Sequence, residues 1–353
     1  MTSFFGFPRP GDMAGTRNHV LVLPAGRVLS IAATRVTDYV AGTKTAITGG
    51  AEVGRHKKDR ERVARLLTGF AKNPNTYATI ILGAKKGFGY QETEPYNLAH
   101  EIAKAGKPVE VLTVEQCGGL DRLVEEGIAL ARRYVHAASL VRREPVSADR
   151  LMIGVKCGES DATSGIAGNP SFGRAADLLI RDGGSVIFSE TTELIGAEAD
   201  MAERCADDAD AKRLLEMVSE VEEAAKRTGE DIRGINPLPS NIAAGISTLE
   251  EKSLGAVRKA GTSKISNDPP MLATNNAVVA PLMIITGNPR TASKAKRSID
   301  FSSGAIITGE SSVEQMGEAL YAKILSIASG EVTKGETIRY SDPLEPYYLG
   351  PVF

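Results

Sequence analysis

Apolar, β-branched runs alternate with helix-spaced runs almost from the first residues, and this rhythm leaves few folds open. HVLVLP (19–24) has the composition of a buried strand, and the segment from Leu29 to Val40 that of a helix. TAIT (45–48) is a short strand. In DRERVARLLTGFAKNP (59–74), Val63, Leu66, Leu67 and Phe70 share a helical face before a proline stop. YATIILGA (77–84) and VEVLTV (109–114) are strands flanking a helix in 96–108, and 120–138 is a long amphipathic helix. Such alternation builds parallel sheets covered by helices. VRREPVSAD (141–149) is charged, carries a proline and interrupts the pattern. It restarts with LMIGVK (151–156), a helix near 172–181 and SVIFSE (185–190). Residues 200–229 have the composition of solvent-facing helix, and 234–247 and 266–276 that of loops. MIITG (283–287), a helix near 291–297, GAIIT (304–308) and a helix within 312–330 close a second unit. The expected fold class is α/β, two doubly wound units with mostly parallel sheets. An N-terminal domain is expected over 1–140 and a C-terminal one over 150–340.

Composition excludes several classes of function. With 353 residues, 24% of them charged, and a formal net charge of -2, the chain has no basic footprint for nucleic acid or an anionic membrane. No run approaches the ~18 apolar residues of a membrane span, and MTSFFGFPRPGDM lacks a signal-peptide pattern. A cytoplasmic location is expected. Cys117, Cys157 and Cys205 are odd in number and none sits in a CxxC pair, which argues against a disulfide framework or structural zinc.

Ligands of open α/β sheets bind beyond the carboxyl ends of the strands. Two such ends are unusually polar. KCGESDATSGIAGNPS follows one strand and SETTE ends another, so Cys157, Ser160, Asp161, Glu190 and Glu193 could share a cleft. A thiolate and carboxylates converging there can hold a divalent metal or supply a general base. Helix capping by Ser160 or Asp161, with Cys157 as a small buried apolar group, explains the same residues. Asn236 and Asn241 in GINPLPSN are stiffened by neighbouring prolines and could present amides to a ligand, or simply serve turns. Thr248 and Glu251 match a capping box, and Lys252 is either a solvated lysine or an anion holder. In the first half, Arg17 and Asn18 suit a carboxylate but precede their strand. KKGFGY offers Lys85 and Lys86 to an acidic substrate without fitting a nucleotide-binding glycine pattern.

The run CGESDATSGIAGNPSFGRAADLLIRDGGSVIFSETTELIGAE, followed by NPLPSN and TLEEKSLG, resembles the altronate and galactarate dehydratase family. Members of that family carry CGGSD, ITANP, LSE, NPSPGNK and TTLEEKSLG in the same order. GFPRPGDMAGTRNHVLVLP is similar to the family's opening, and TGNPRTASKAKRSIDFSSGAIITGESS to its TGNP segment, especially near sulfolactate sulfo-lyase large subunits. The resemblance implies β-elimination from a small hydroxylated (sugar) acid, assisted by a divalent metal, commonly iron. Cys157, Ser160, Asp161, Asn169, Glu190, Asn236, Asn241, Glu251 and Lys252 fall on the shared motifs. Of these, Cys157 and Glu190 are the expected metal ligands. A homo-oligomer and a separate small companion subunit are expected partners.

The chain also departs from the family. Thr48 and Ala51 stand where the family has a His and a Cys, and AKKGFGYQ replaces its GCE. Two alternatives stand beside a dehydratase: a sulfo-lyase releasing sulfite, favoured by the TGNP-like segment, and a non-catalytic or regulatory subunit, suggested by the lost His and Cys.

Overall fold

The computed structural model describes residues 2–50, 54, 56–188, 191–266 and 278–340. The fold is α/β. The chain opens with two strands, β1 (Ser3–Arg9) and β2 (Met13–Gly15), paired antiparallel. The expected alternation follows: β3 (His19–Pro24), α1 (Leu29–Tyr39), β4 (Thr43–Thr45), α2 (Lys57–Lys72), β5 (Thr76–Gly83), α3 (Pro95–Ala103), β6 (Val109–Thr113), α4 (Val114–Cys117) and α5 (Leu120–Ser139). Strands β3 to β6 form one parallel sheet in the order β4-β3-β5-β6. Both faces of this sheet are apolar, and successive residues serve opposite faces because the strand period is two. Leu21, Leu23 and Ile81 point to α2 and α3, while Val20, Val22, Ile80 and Leu82 point to α1 and α5. That is why HVLVLP and YATIILGA are largely apolar rather than alternating.

His19, at the start of β3, is pushed down to about 4 by burial first and by Lys44 next. A folded pKa below the ordinary 6.5 means the unfolded chain takes the proton first. Stability is thus expected to fall as the pH drops from about 6.5 to about 4, then level off. Urea titrations of His19→Gln across that window should show a flatter profile.

The second half continues with β7 (Glu144–Ser147), β8 (Met152–Val155), α6 (Asn169–Arg181), β9 (Ser185–Phe188), α7 (Glu198–Glu203), α8 (Asp208–Lys226), α9 (Ile232–Ile235), α10 (Pro239–Ala243) and α11 (Leu249–Val257). It ends with β10 (Ile285–Thr286), α12 (Pro289–Lys294), β11 (Phe301–Ser302), α13 (Gly304–Ile307), α14 (Val313–Ala328) and α15 (Lys334–Thr337). Among the described residues its parallel strands come as two separate pairs, β8 with β9 and β10 with β11. They do not join into a single large sheet. The core is instead α6 against α14, with Phe172, Leu179, Leu320 and Ile324 meeting Ile153, Val186 and Ile285.

Three readings of the sequence change. GAIIT is helix, because its neighbour β10 ends where Asn288 and Pro289 start α12, leaving no strand to pair with. The solvent-facing helix in 200–229 is broken at Cys205, whose neighbour Ala206 bonds instead to Ile265. The charged interruption contains β7, which pairs antiparallel with β1. Phe4 accordingly packs in the second core, not the first. Among the described residues no helix is long and apolar enough to cross a membrane.

The halves are fastened by arginines. Arg17 is 7% exposed and uses every guanidinium donor within the fold. Its Nε and Nη2 grip Glu336 at 2.6 and 2.8 Å, and its Nη groups also reach the carbonyls of Thr16, Ile327 and Glu331. Arg143 donates to the carbonyls of Phe5, Thr16 and Ala328.

Candidate active site

The stretch after β8 folds around one aspartate. Asp161 caps the helical run that follows, its Oδ1 accepting from the backbone of Thr163 (2.8 Å) and Ser164 (3.1 Å). That run opens as a π turn over Ser164–Gly168 before passing into α6. Pro170 gives the reason: it cannot donate a hydrogen bond back along the helix, and a widened turn accommodates its ring. The glycines have a separate purpose. A Cβ on Gly165 would lie 3.0 Å from the Gly255 Cα, so the π turn and α11 touch backbone to backbone. Asn169 secures this contact by donating from Nδ2 to the Gly255 carbonyl at 2.9 Å. Gly255→Val should force the two apart, at a cost of about 1–3 kcal/mol in denaturant unfolding, with activity lost faster than stability.

The close approach brings the TLEEKSLG helix to the strand end. The Lys252 ammonium donates to Oδ1 of Asn236 (2.8 Å) and to Oδ1 of Asn241 (3.0 Å). Asn241 is 2% exposed, and its Nδ2 donates to the Ser160 carbonyl at 2.9 Å. The Ser160 hydroxyl lies 3.2 Å from the Cys157 sulfur. On its other side Cys157 meets the Glu193 carboxylate, which is bound by Lys259 at 2.6 Å. One continuous polar chain therefore runs Lys252–Asn241–Ser160–Cys157–Glu193–Lys259. Burial first, and then the Glu193 charge, push the Cys157 thiol up to about 11, so it is a neutral S–H at pH 7.

The two lysines differ in what they can offer. Lys259 is 3% exposed and its charge is matched by Glu193. Lys252 is half-buried, rests on neutral amide oxygens, and has no carboxylate partner among the described residues. Two of its three N–H bonds are used, leaving one for an anionic ligand.

The structure thus brings Cys157, Ser160, Asn236, Asn241 and Lys252 together with Glu193, and sets Asp161 and Asn169 beside them as framework. Glu251 is at the exposed start of α11, where Ser247 donates to its Oε2 through backbone N (2.7 Å) and hydroxyl (2.5 Å). Those bonds from Ser247 hold its carboxyl below the ordinary range. Glu190 lies outside the described residues, as does Ala51. Arg17 has no donor left for a substrate, and Asn18 is tied to Arg9 and the Ala138 carbonyl. Lys85 and Lys86 are exposed beyond β5, over the rings of Phe88 and Tyr96. Sequence reasoning missed Lys259, whose one signal is its place seven residues, or two helical turns, after Lys252. It also missed Asn288, which donates to Asp161 Oδ2 at 2.7 Å.

The expected metal depends on Glu190. Among the described residues no three His, Cys, Asp or Glu side chains gather as a metal needs. The Glu193 carboxylate is already matched by an ammonium. Without Glu190 the described donors are too few to hold a divalent ion.

Sequence comparison bears directly on this cluster. The family model "D-galactarate/Altronate dehydratase, C-terminal" matches residues 148–268 and 273–348, more than half of the chain. The chain belongs to this dehydratase family. A second model, "D-galactarate dehydratase/Altronate hydrolase, second domain", matches residues 6–139. The chain is 28% identical over 387 residues to the (2R)-sulfolactate sulfo-lyase subunit beta of Chromohalobacter salexigens, covering 96% of each. It is 32% identical to the altronate dehydratase of Bacillus subtilis over 275 residues, 75% of this chain and 54% of that enzyme. The altronate dehydratase of Escherichia coli is 28% identical over 373 residues, 92% of this chain and 74% of that enzyme. The chain thus spans about half of the Bacillus relative and three quarters of the E. coli one. Every residue of the polar chain from Lys252 to Lys259 falls within the matched C-terminal segment.

Proposed function

We propose that this chain is a hydro-lyase that removes water from a small hydroxylated (sugar) acid. The observation that carries the reading is Lys252, an ammonium with one open N–H and no charge partner among the described residues. An acid's carboxylate would complete it. With the carboxylate held there, the adjacent C–H loses a proton to a base, the electron pair forms a C=C bond, and the next carbon releases its hydroxyl. The released hydroxyl needs a proton. We assign that role to Cys157, a neutral thiol hydrogen-bonded to Ser160, with Lys259 keeping Glu193 charge-matched beside it. The enol product becomes a 2-oxo-3-deoxy acid on taking up a proton at the third carbon. A divalent ion is a further element of this proposal, supported by the family resemblance alone; with Cys157 as its ligand the sulfur would be a thiolate, and the proton for the leaving hydroxyl would come from another group. It would polarise the substrate, and elemental analysis of purified protein tests it.

A second reading is favoured by the end-to-end match to the Chromohalobacter subunit: release of sulfite from a sulfonated hydroxy acid such as sulfolactate. There the same carboxylate anchor serves, and a C–S bond breaks in place of C–O. That relative is named as a subunit, which supports a small companion subunit for this chain as well. Assays on aldonates, aldarates and sulfolactate, with and without a companion subunit, separate the two. Formation of a 2-oxo-3-deoxy acid supports the first; sulfite release with sugar acids untouched replaces it with the second.

A further inference from the structure

We infer that Asp161 and Asn288 form a brace that positions the Cys157–Ser160 turn, and that neither side chain touches the reacting atoms. As a statement about catalysis this rests on the lyase reading above. The pair joins segments 127 residues apart, the end of β8 and the end of β10. Asp161 is engaged through both carboxylate oxygens. Its Oδ1 accepts from Thr163 N (2.8 Å), Thr163 Oγ1 (2.5 Å) and Ser164 N (3.1 Å), and its Oδ2 accepts from Asn288 Nδ2 (2.7 Å). A carboxylate offers about four lone-pair directions. These bonds make Asp161 an anchor. Burial raises its pKa, but the bonds from Thr163, Asn288 and Ser164 outweigh that and hold it ionised.

Asn288 is engaged in both directions. Its Oδ1 caps α12 by accepting from Arg290 N (2.9 Å) and Thr291 N (3.2 Å), while its Nδ2 holds Asp161. The neighbouring Gly287 makes the junction close. A Cβ there would lie 2.6 Å from the Thr163 carbonyl oxygen and 2.7 Å from Gly168 N. Two backbones in contact, with a charge-assisted hydrogen bond across them, leave little room for slippage. Ser160 is the residue before Asp161 and carries the hydrogen bond to Cys157, so displacement of Asp161 is transmitted directly to the thiol.

The test is a swap. Asp161→Asn sets amide against amide, and Asn288→Asp sets carboxylate against carboxylate. The double variant restores a donor facing an acceptor, and both positions keep a residue suited to capping. Each single variant should lower kcat/KM roughly 30-fold, mainly in kcat, and lower Tm. The double variant should recover both to within about threefold in rate. Asn288→Ser, which keeps a capping hydroxyl too short to reach Asp161, should lower kcat without moving either limb of the pH profile. A double variant that regains Tm but not kcat/KM would show that the charge at 161 takes part in the chemistry, overturning the brace. So would single-variant losses in Tm that merely add. If no acid is turned over the lyase reading fails, and the Tm coupling alone still decides whether the brace exists.

Discussion

Replacing Lys252 by methionine is expected to reduce kcat/KM by roughly 100-fold or more, while the protein still folds. A hydrogen bond to a charged group contributes about 1.5–3 kcal/mol, and here the same ammonium also holds two amides in place. A methionine side chain would match the aliphatic stem but leave Oδ1 of Asn236 and Oδ1 of Asn241 without their donor. The stability loss should be about 1–2 kcal/mol, well short of unfolding a chain of this size. Arginine should rescue poorly, since a planar fork cannot occupy the point between two amide oxygens that an ammonium fills. Steady-state kinetics with Tm measured alongside separates the two effects. Near-normal kcat/KM in Lys252→Met would mean that the substrate is anchored elsewhere.

The second large effect lies away from the site. Arg17→Met is expected to destabilise the fold by about 3–5 kcal/mol, because it leaves the half-buried Glu336 carboxylate without its cation, held only by Thr333. Two carbonyls of the second half, Ile327 and Glu331, lose their donor as well. Glu336→Gln should cost less, since the amide can still accept. The pair also sets an acid limit. Burial raises the Glu336 pKa, but the bonds from Arg17 and Thr333 outweigh it, and the net shift is downward. A depressed carboxyl contributes stability that is present above its unfolded pKa and is lost as pH falls through the folded one. Urea unfolding of wild type and Glu336→Gln should therefore converge below the ordinary glutamate range. Parallel curves down to that pH would contradict the assignment.

Much of this architecture was legible because it is local. The buried strands β3 and β5 are dominated by apolar residues, and α2 and α5 announce themselves by spacing. The second half was harder to read. GAIIT has strand composition, yet its state is decided by where its neighbour β10 stops, which is a tertiary fact. The arm from Ser3 to Arg9 has no partner in sequence; it becomes a strand only because β7 lies beside it.

The candidate site divides in the same way. CGESD, NPLPSN and TLEEKSLG could be singled out from residue types and resemblance, and they do converge. What composition could not separate was chemistry from scaffolding. Asp161 and Glu251 are both carboxylates in polar motifs, and both sit at helix starts tied up by local hydrogen bonds. Arg17 looks like a substrate fork, yet all its donors are spent on Glu336 and backbone carbonyls. Lys259 looks like any surface lysine until burial and Glu193 mark it out. Charge pairing is set by distance in space, and a lysine's neighbours are not written next to it.

Elimination of water from an acid anchored at Lys252 is the central claim. Its most direct test is to incubate the purified protein, and its Lys252→Met variant, with a panel of aldonates and aldarates and follow 2-oxo-3-deoxy acid. The predicted result is product with at least one of them, reduced roughly 100-fold or more in the variant. Equal turnover by wild type and variant, or no product while sulfolactate yields sulfite, would contradict it.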